Sequence, residues 1–160
     1  MKWLWLEDER FSITDIEVYL REKRIEIEII SNLDDYYNKL IYLKKGSLID
    51  YGLILDVKLD GTKMVLIPKT WSDQKDDKFV LVTDVLNNAG ILFIQHAIYE
   101  AAEAFWRPIP PVIFLSTVPY PEYQEQIDKL KAHYNLQNRI YYVRKWDYDK
   151  ELITILNSWR

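Results

Sequence analysis

Two apolar stretches of this sequence end in acidic side chains. Residues 53–55 have the composition of a strand buried on both faces, and the run stops at Asp56. The N-terminal stretch KWLWL stops in the same way, at Glu7 and Asp8. A carboxylate at the edge of a core is costly to desolvate unless a cation or a donor pairs with it. These three acids are therefore candidates for a charged site whose partners come from elsewhere in the chain.

A hydroxyl group and an ammonium group end two later apolar stretches. The segment VIFLST closes on Ser116 and Thr117, and YYVRK closes on Lys145. A metal ion held by acids, a carboxylate, a hydroxyl and an ammonium around one point would form a site for a phosphoryl group. In such a site Asp56 would attack the phosphorus while the metal and Lys145 neutralise the phosphoryl oxygens. This chemistry requires the ends of four separate stretches to meet.

The apolar pattern alternates between strand and helix five times. Strands are predicted at 2–6, 25–30, 53–56, 111–116 and 139–143, and helices at 12–24, 32–46, 90–105, 121–134 and 147–159. Ser12 and Asp15 have the spacing of a capping box at the first helix. The alternation predicts one domain, residues 1–160, of the α/β class with a parallel sheet and helices on both faces.

The expected topology is a doubly wound, flavodoxin-like sheet of five parallel strands in the order 2-1-3-4-5. Such sheets form their sites beyond the carboxyl ends of the strands, in the crevice where the strand order reverses. In this order the crevice lies between the first and third strands, so Glu7, Asp8 and Asp56 converge there. Mg²⁺ takes oxygen ligands and would relieve their mutual repulsion, which makes it the predicted cofactor.

A long insertion follows the Asp56 strand, at about residues 62–88. Two short strands, KMVLIP and KFVLVT, surround the polar turn WSDQKDD. This pattern predicts a hairpin or a flap beside the site. Loops of this length are often functional, but a surface elaboration without a role is equally open.

The arrangement resembles the receiver domain of two-component response regulators over nearly the whole chain apart from the insertion. In that family an acidic pair follows the first strand, and Glu7 and Asp8 match it. The resemblance makes Asp56 the phosphoacceptor, Ser116 the hydroxyl residue of the fourth strand and Lys145 the lysine that ends the fifth.

The resemblance implies further roles and also shows departures from the family. Tyr142 matches the switch aromatic, and the backbone carbonyl of Lys58 matches a metal ligand. The Lys58 ammonium could pair with Asp56 or Glu7. Thr117 lies at the switch position after the hydroxyl residue, where the family usually has Ala or Gly. The larger side chain would narrow the access of a phosphodonor or an attacking water to the site. Trp146 stands where the family usually has a proline.

A receiver-like signalling protein is the function that the resemblance implies. Asp56 would accept a phosphoryl group from a histidine kinase or phosphotransfer protein, and contacts with a downstream protein target would switch. Catalysis would be at most self-phosphorylation and dephosphorylation. The predicted closing helix runs almost to Arg160, so we expect a stand-alone receiver. A pseudo-receiver that binds proteins independently of phosphorylation remains open. An Asp-dependent phosphatase with the motif Asp-x-Asp-Gly-Thr is disfavoured, because Lys58 replaces the first, nucleophilic Asp of that motif in the stretch KLDGT.

Composition limits the partners. A net charge of −4 and a pI near 5.3 argue against nucleic acid or an anionic membrane as the main partner. No apolar run approaches the roughly 18 residues of a membrane helix. With three acids in residues 7–9 we do not expect a signal peptide, and the absence of cysteine is compatible with a cytoplasmic location. An aromatic face near the fourth and fifth units is a candidate protein or homodimer contact, formed by Tyr120, Tyr123, Tyr142 and Trp146.

Overall fold

The secondary structure follows the predicted alternation. The computed structural model describes residues 1–44, 50–59, 64–68, 78–82, 89–94, 110–118, 120–133 and 135–159. The strands are β1 (Lys2–Leu6), β2 (Ile27–Ile30), β3 (Tyr51–Asp56), β4 (Met64–Pro68), β5 (Lys78–Val82), β6 (Val112–Ser116) and β7 (Ile140–Arg144). The helices are α1 (Thr14–Glu22), α2 (Leu33–Lys44), α3 (Ala89–Phe93), α4 (Gln124–His133) and α5 (Ile153–Ser158).

Five parallel strands form the main sheet in the order β2-β1-β3-β6-β7. Since β6 and β7 are its fourth and fifth strands along the chain, the predicted order 2-1-3-4-5 is confirmed. Leu6 pairs with Leu55, and Asp56 pairs with Leu115. This register brings the carboxyl ends of β1, β3, β6 and β7 to one edge of the sheet.

The central strands are continuous apolar runs, so apolar side chains cover both faces of this sheet. Alternate residues of β1 and β3 enter opposite layers: Leu4 and Leu53 belong to one buried cluster, and Trp3 and Ile54 to the other. Gly52 pairs with Trp3, and a Cβ at Gly52 would lie 2.4 Å from the indole ring. The glycine therefore leaves room for a large aromatic residue in the middle of the sheet.

The insertion contains a second, two-stranded sheet. Strands β4 and β5 pair antiparallel, with Met64 opposite Val82 and Pro68 opposite Lys78. Both predicted strands of the hairpin are therefore present, while its polar turn lies outside the described residues. A role as a flap over the site stays a prediction.

The first helix begins later than predicted and without the predicted capping box. A 3₁₀ turn, Arg10–Ile13, precedes α1, and no side-chain hydrogen bond caps its start. The Ser12 N–H and the Ser12 hydroxyl both donate to the Glu9 carbonyl, at 2.9 and 2.8 Å. The capping assignment for Ser12 is wrong because the 3₁₀ turn closes back on Glu9.

The closing segment is less regular than the single helix predicted for 147–159. A 3₁₀ turn, Lys145–Asp147, leads into a π-helical turn, Tyr148–Leu152, and then into α5. The helix predicted for 90–105 is present as Ala89–Phe93, and residues 95–105 of the predicted range lie outside the described residues. Among the described helices, none combines the length and the hydropathy needed to cross a membrane.

Candidate functional site

Lys145 stands at the centre of a buried charged cluster. Its Nζ lies 2.7 Å from Asp56 Oδ2 and contacts Glu7 at 3.0 Å (Oε1) and 2.8 Å (Oε2), with the better hydrogen-bond geometry to Oε1. All three side chains are buried. The end of β7 therefore supplies one ammonium to carboxylates that follow β1 and end β3.

Backbone donors complete the contacts of these carboxylates. The Lys58 N–H donates to Asp56 Oδ1 at 3.1 Å, and the Glu9 N–H donates to Glu7 Oε1 at 3.2 Å. Each acid thus accepts from the loop that follows its own strand as well as from Lys145. These loop contacts hold the two carboxylates toward the crevice.

Asp8 extends the cluster into a candidate metal site. Oxygen atoms of Glu7, Asp8 and Asp56 all lie within 4.8 Å of one another. Asp8 Oδ1 is buried and has no hydrogen-bond partner among the residues that the structure describes. A buried carboxylate oxygen without a donor is costly to desolvate, and a cation beside it would remove that cost. The residues present therefore fit a hard divalent cation such as Mg²⁺.

The electrostatics of the cluster favour added positive charge. Burial raises the pKa of Glu7 to about 8, and the negative charge of Asp56 adds to this shift while Lys145 opposes it. Burial also raises the pKa of Asp56, although the Lys145 ammonium lowers it in part. Burial alone would lower the pKa of Lys145, but its attraction to Asp56 and Glu7 outweighs burial and the pKa is raised. Two buried carboxyl groups thus compete for one ammonium.

Ser116 ends β6 inside the same edge of the sheet and is fully buried. Its Oγ accepts a hydrogen bond from the Val118 N–H at 3.2 Å, and the Val118 carbonyl accepts one from the Tyr142 hydroxyl. Tyr142 is half-buried and packs against Tyr120, with ring centroids 5.1 Å apart. A short chain of contacts therefore joins the predicted hydroxyl residue to the predicted switch aromatic.

The remaining predicted residues line the outside of the site. The Lys58, Thr117 and Trp146 side chains are exposed, and the Arg144 guanidinium lies 5.0 Å from the centre of the Trp146 ring. The predicted aromatic face is only partly present, because Tyr123 is buried in the core. Tyr123 is core because its position in the turn before α4 directs it inward.

Two contributors to the site were not predicted. Gly90 donates its N–H to the Val57 carbonyl at 3.1 Å, and a Cβ at Gly90 would lie 2.1 Å from the Asp56 carbonyl oxygen. Ser12 places its Oγ 3.4 Å from Lys145 Nζ. The one feature of the sequence that singled out Gly90 is the scarcity of glycine, four in 160 residues. Ser12 could not be recognised as a site residue, because its spacing from Asp15 predicts a helix cap instead.

Comparison with known proteins identifies the fold through structure alone. No protein-family model matches this chain, and no curated protein matches its sequence. The N-terminal domain of a response regulator/sensory box/GGDEF 3-domain protein from Carboxydothermus hydrogenoformans is similar, with a TM-score of 0.54 and 19% identity. That match covers 99% of this chain and 93% of the other.

Two further solved structures set the scope of this likeness. A response regulator receiver domain from Rhodospirillum rubrum matches with a TM-score of 0.51 and 16% identity, over 100% of this chain and 89% of the other. A de novo designed Rossmann 2x3 fold protein matches with a TM-score of 0.50 and 14% identity, over 98% and 90%. Since a designed protein shares the architecture, the likeness identifies the fold, and function must be argued from the site. By its strand order and these matches, the chain has the fold of the response regulator receiver domains.

Proposed function

We propose that this protein is a receiver-like signalling protein that accepts a phosphoryl group on Asp56 with Mg²⁺ and then switches its protein contacts. One observation carries the proposal. The Asp56 carboxylate lies 2.7 Å from Lys145 Nζ and beside the oxygens of Glu7 and Asp8, at the carboxyl end of the central strand. A nucleophile, a cation and a set of oxygen ligands meet at the place where doubly wound folds bind ligands.

The proposed step is a phosphoryl transfer between side chains. A carboxylate oxygen of Asp56 attacks phosphorus, the bond to the donor imidazole nitrogen breaks, and the imidazole leaves with its electron pair. The product is an acyl phosphate, which water later hydrolyses to inorganic phosphate and the free carboxylate. Lys145 neutralises one phosphoryl oxygen, and Ser116 donates its hydroxyl to another.

Glu7, Asp8 and Asp56 would hold the Mg²⁺ ion, together with the Lys58 carbonyl that the resemblance implies. When bound, Mg²⁺ would supply positive charge to the phosphoryl oxygens. The protein supplies the oxygens and also holds the competing ammonium of Lys145 between Glu7 and Asp56.

The proposed partners are proteins in a cytoplasmic signalling pathway. The donor would be a histidine kinase or a phosphotransfer protein, and the target would dock on the face that includes Tyr142 and Trp146. A groove of about 400 Å³ lies on this face, bordered by Tyr120, Lys131 and Arg144 as well as Tyr142. Rotation of Tyr142 would change the shape of this groove and so report the state of Asp56. The same face is a candidate homodimer contact.

A phosphorylation-independent binding module is the second candidate, and one observation favours it. Lys145 contacts both Glu7 and Asp56, so the buried charges partly satisfy each other without a phosphoryl group. In that case the fold would serve as a rigid support for exposed residues such as Trp146, which is 52% exposed. The two candidates differ in whether Asp56 can be modified.

Exposure to a small phosphodonor such as acetyl phosphate in Mg²⁺ tests this difference. We expect intact-mass spectrometry to show a single phosphoryl addition to the wild type and none to Asp56→Asn, which keeps the size of the side chain but is not a nucleophile. Asp35→Asn, on the exposed surface of α2, is the matched control and should be modified like the wild type.

A second donor is needed as a control, because Thr117 lies next to Ser116 and narrows the access of a small phosphodonor to Asp56. The wild type should also accept a phosphoryl group from a phosphohistidine-containing phosphotransfer protein. If neither donor modifies the wild type and beryllofluoride leaves its NMR spectrum unchanged, the binding-module candidate is correct.

A further inference from the structure

The Ser12 hydroxyl faces the Lys145 ammonium as an acceptor. Its own proton is donated to the Glu9 carbonyl at 2.8 Å, so a lone pair of Oγ remains for Lys145 Nζ at 3.4 Å. Ser12 is exposed, whereas Lys145 is buried. The hydroxyl therefore lies where the buried cluster meets the surface.

The three N–H groups of the ammonium match three acceptors. These are Asp56 Oδ2 at 2.7 Å, the Glu7 carboxylate at 2.8 to 3.0 Å, and Ser12 Oγ at 3.4 Å. Ser12 is the neutral acceptor of the three and lies at the longest distance. Hydrogen bonds to charged acceptors are the stronger ones, so the N–H directed at Ser12 is held least tightly.

The loop after β1 ties Ser12 to the same cluster. The Glu9 N–H donates to Glu7 Oε1 at 3.2 Å, and the Glu9 carbonyl accepts from the Ser12 N–H at 2.9 Å. Glu7, Glu9, Ser12 and Lys145 thus form a closed ring of hydrogen bonds. The ring fixes the Ser12 oxygen relative to the Glu7 carboxylate.

We propose that Ser12 is a positioning residue for Lys145. It orients the ammonium so that the third N–H turns from the hydroxyl to a phosphoryl oxygen on Asp56, while the other two N–H groups stay with the carboxylates. The inference rests on the proposed function for its phosphoryl step, but the contact with Lys145 exists without it. Removal of the hydroxyl lets the ammonium rotate and leaves one N–H without its acceptor.

The contact is tested on the free protein, without metal or phosphodonor. NMR detection of the Lys145 ammonium, identified by its loss in Lys145→Arg, measures proton exchange with water. We expect Ser12→Ala to accelerate this exchange roughly three- to tenfold, as for the loss of one hydrogen bond. Ser12→Thr should restore the slow exchange. Thr14→Ala, which removes a hydroxyl bonded to the Arg10 carbonyl in the same turn, is the matched control.

The positioning role is tested by the affinity for beryllofluoride in Mg²⁺. We expect Ser12→Ala to bind it roughly three- to tenfold more weakly, again the effect of one hydrogen bond, with Ser12→Thr and Thr14→Ala close to the wild type. Thermal unfolding of each variant checks that the fold is intact.

Each result decides one part of the inference. Unchanged ammonium exchange in Ser12→Ala, or an equal change in Thr14→Ala, overturns the contact. Faster exchange with unchanged beryllofluoride affinity overturns the positioning role. A wild type that neither binds beryllofluoride nor accepts a phosphoryl group from either donor overturns the proposed function, and the ammonium exchange still decides whether Ser12 holds Lys145.

Discussion

At the scale of single residues, a shortage of positive charge governs the site. Glu7 and Asp56 share the Lys145 ammonium, and Asp8 adds a third acid whose buried Oδ1 has no donor within the described part of the chain. The negative charge of Asp8 also raises the pKa of Asp56, after the larger effects of burial and Lys145. The acids of the cluster consequently repel one another in the free protein, and a bound cation would relieve this repulsion.

If this cluster binds Mg²⁺, Asp8→Ala should have opposite effects on the unfolding free energy with and without the ion. At a Mg²⁺ concentration ten times its Kd, the wild type should gain about 1.4 kcal/mol in unfolding free energy. Asp8→Ala should lose this gain, yet be as stable as or more stable than the wild type in chelator, because one repelling charge is gone. Denaturant unfolding with and without Mg²⁺ measures both effects.

Fluorescence provides a second readout, since Trp5 is buried two residues before Glu7. Addition of Mg²⁺ should change the emission of the wild type and not that of Asp8→Ala. Glu22→Ala, at the far end of α1 from the site, controls for the loss of any carboxylate. A Mg²⁺ response that survives Asp8→Ala would rule out this cluster as the binding site.

At the scale of elements, the site depends on how closely α3 approaches the end of β3. The Gly90 N–H bonds the Val57 carbonyl, and the Gly90 Cα faces the Asp56 carbonyl at a distance that leaves no room for a side chain. The first turn of α3 therefore supports the backbone that carries Asp56, the proposed phosphoacceptor. Only glycine allows this approach.

Gly90→Ala should destabilise the protein although alanine favours helices. The added Cβ would meet backbone atoms, and such overpacking typically costs roughly 1 to 3 kcal/mol, more than the gain in helix propensity of about 1 kcal/mol. Thermal and denaturant unfolding measure the loss, and the Mg²⁺ response should weaken because Asp56 shifts. Ala132→Ser, on the exposed surface of α4, is the control. A Gly90→Ala variant with wild-type stability would show that α3 is not packed tightly against the end of β3.

At the scale of the whole molecule, the parallel sheet is complete without the insertion. All four strand pairings of the main sheet join β1, β2, β3, β6 and β7, while β4 and β5 pair with each other. The contact between Gly90 and Val57 joins the chain segments that precede and follow the insertion. A short connection could therefore replace it.

Deletion of residues 62–88 should leave a folded domain. We expect its unfolding free energy to stay within about 2 kcal/mol of the wild type, because shortening a loop changes the closure entropy only slowly. If the insertion covers the site, the rate of phosphoryl gain or loss at Asp56 should change, which mass spectrometry over time would show. A deletion variant that does not fold would place the insertion in the core instead.

The sequence by itself determined the succession of strands and helices and, once a doubly wound strand order is assumed, the convergence of the acids. Period and run length distinguish buried strands from amphipathic helices, and parallel strands direct all their carboxyl ends to one edge. The sequence could therefore predict which side chains converge at this edge, because each of them ends a strand or directly follows one: Glu7, Asp8, Asp56 and Lys145.

Only the tertiary structure decided which side chains touch within that edge. Ser12 matches a helix cap by local pattern, yet its position beside Lys145 joins residues 133 apart in the chain. Gly90 and the burial of Tyr123 also follow from packing against distant elements. Local periodicity carries no information about such contacts, since they depend on how a loop, a helix start and a strand end meet after the sheet has formed.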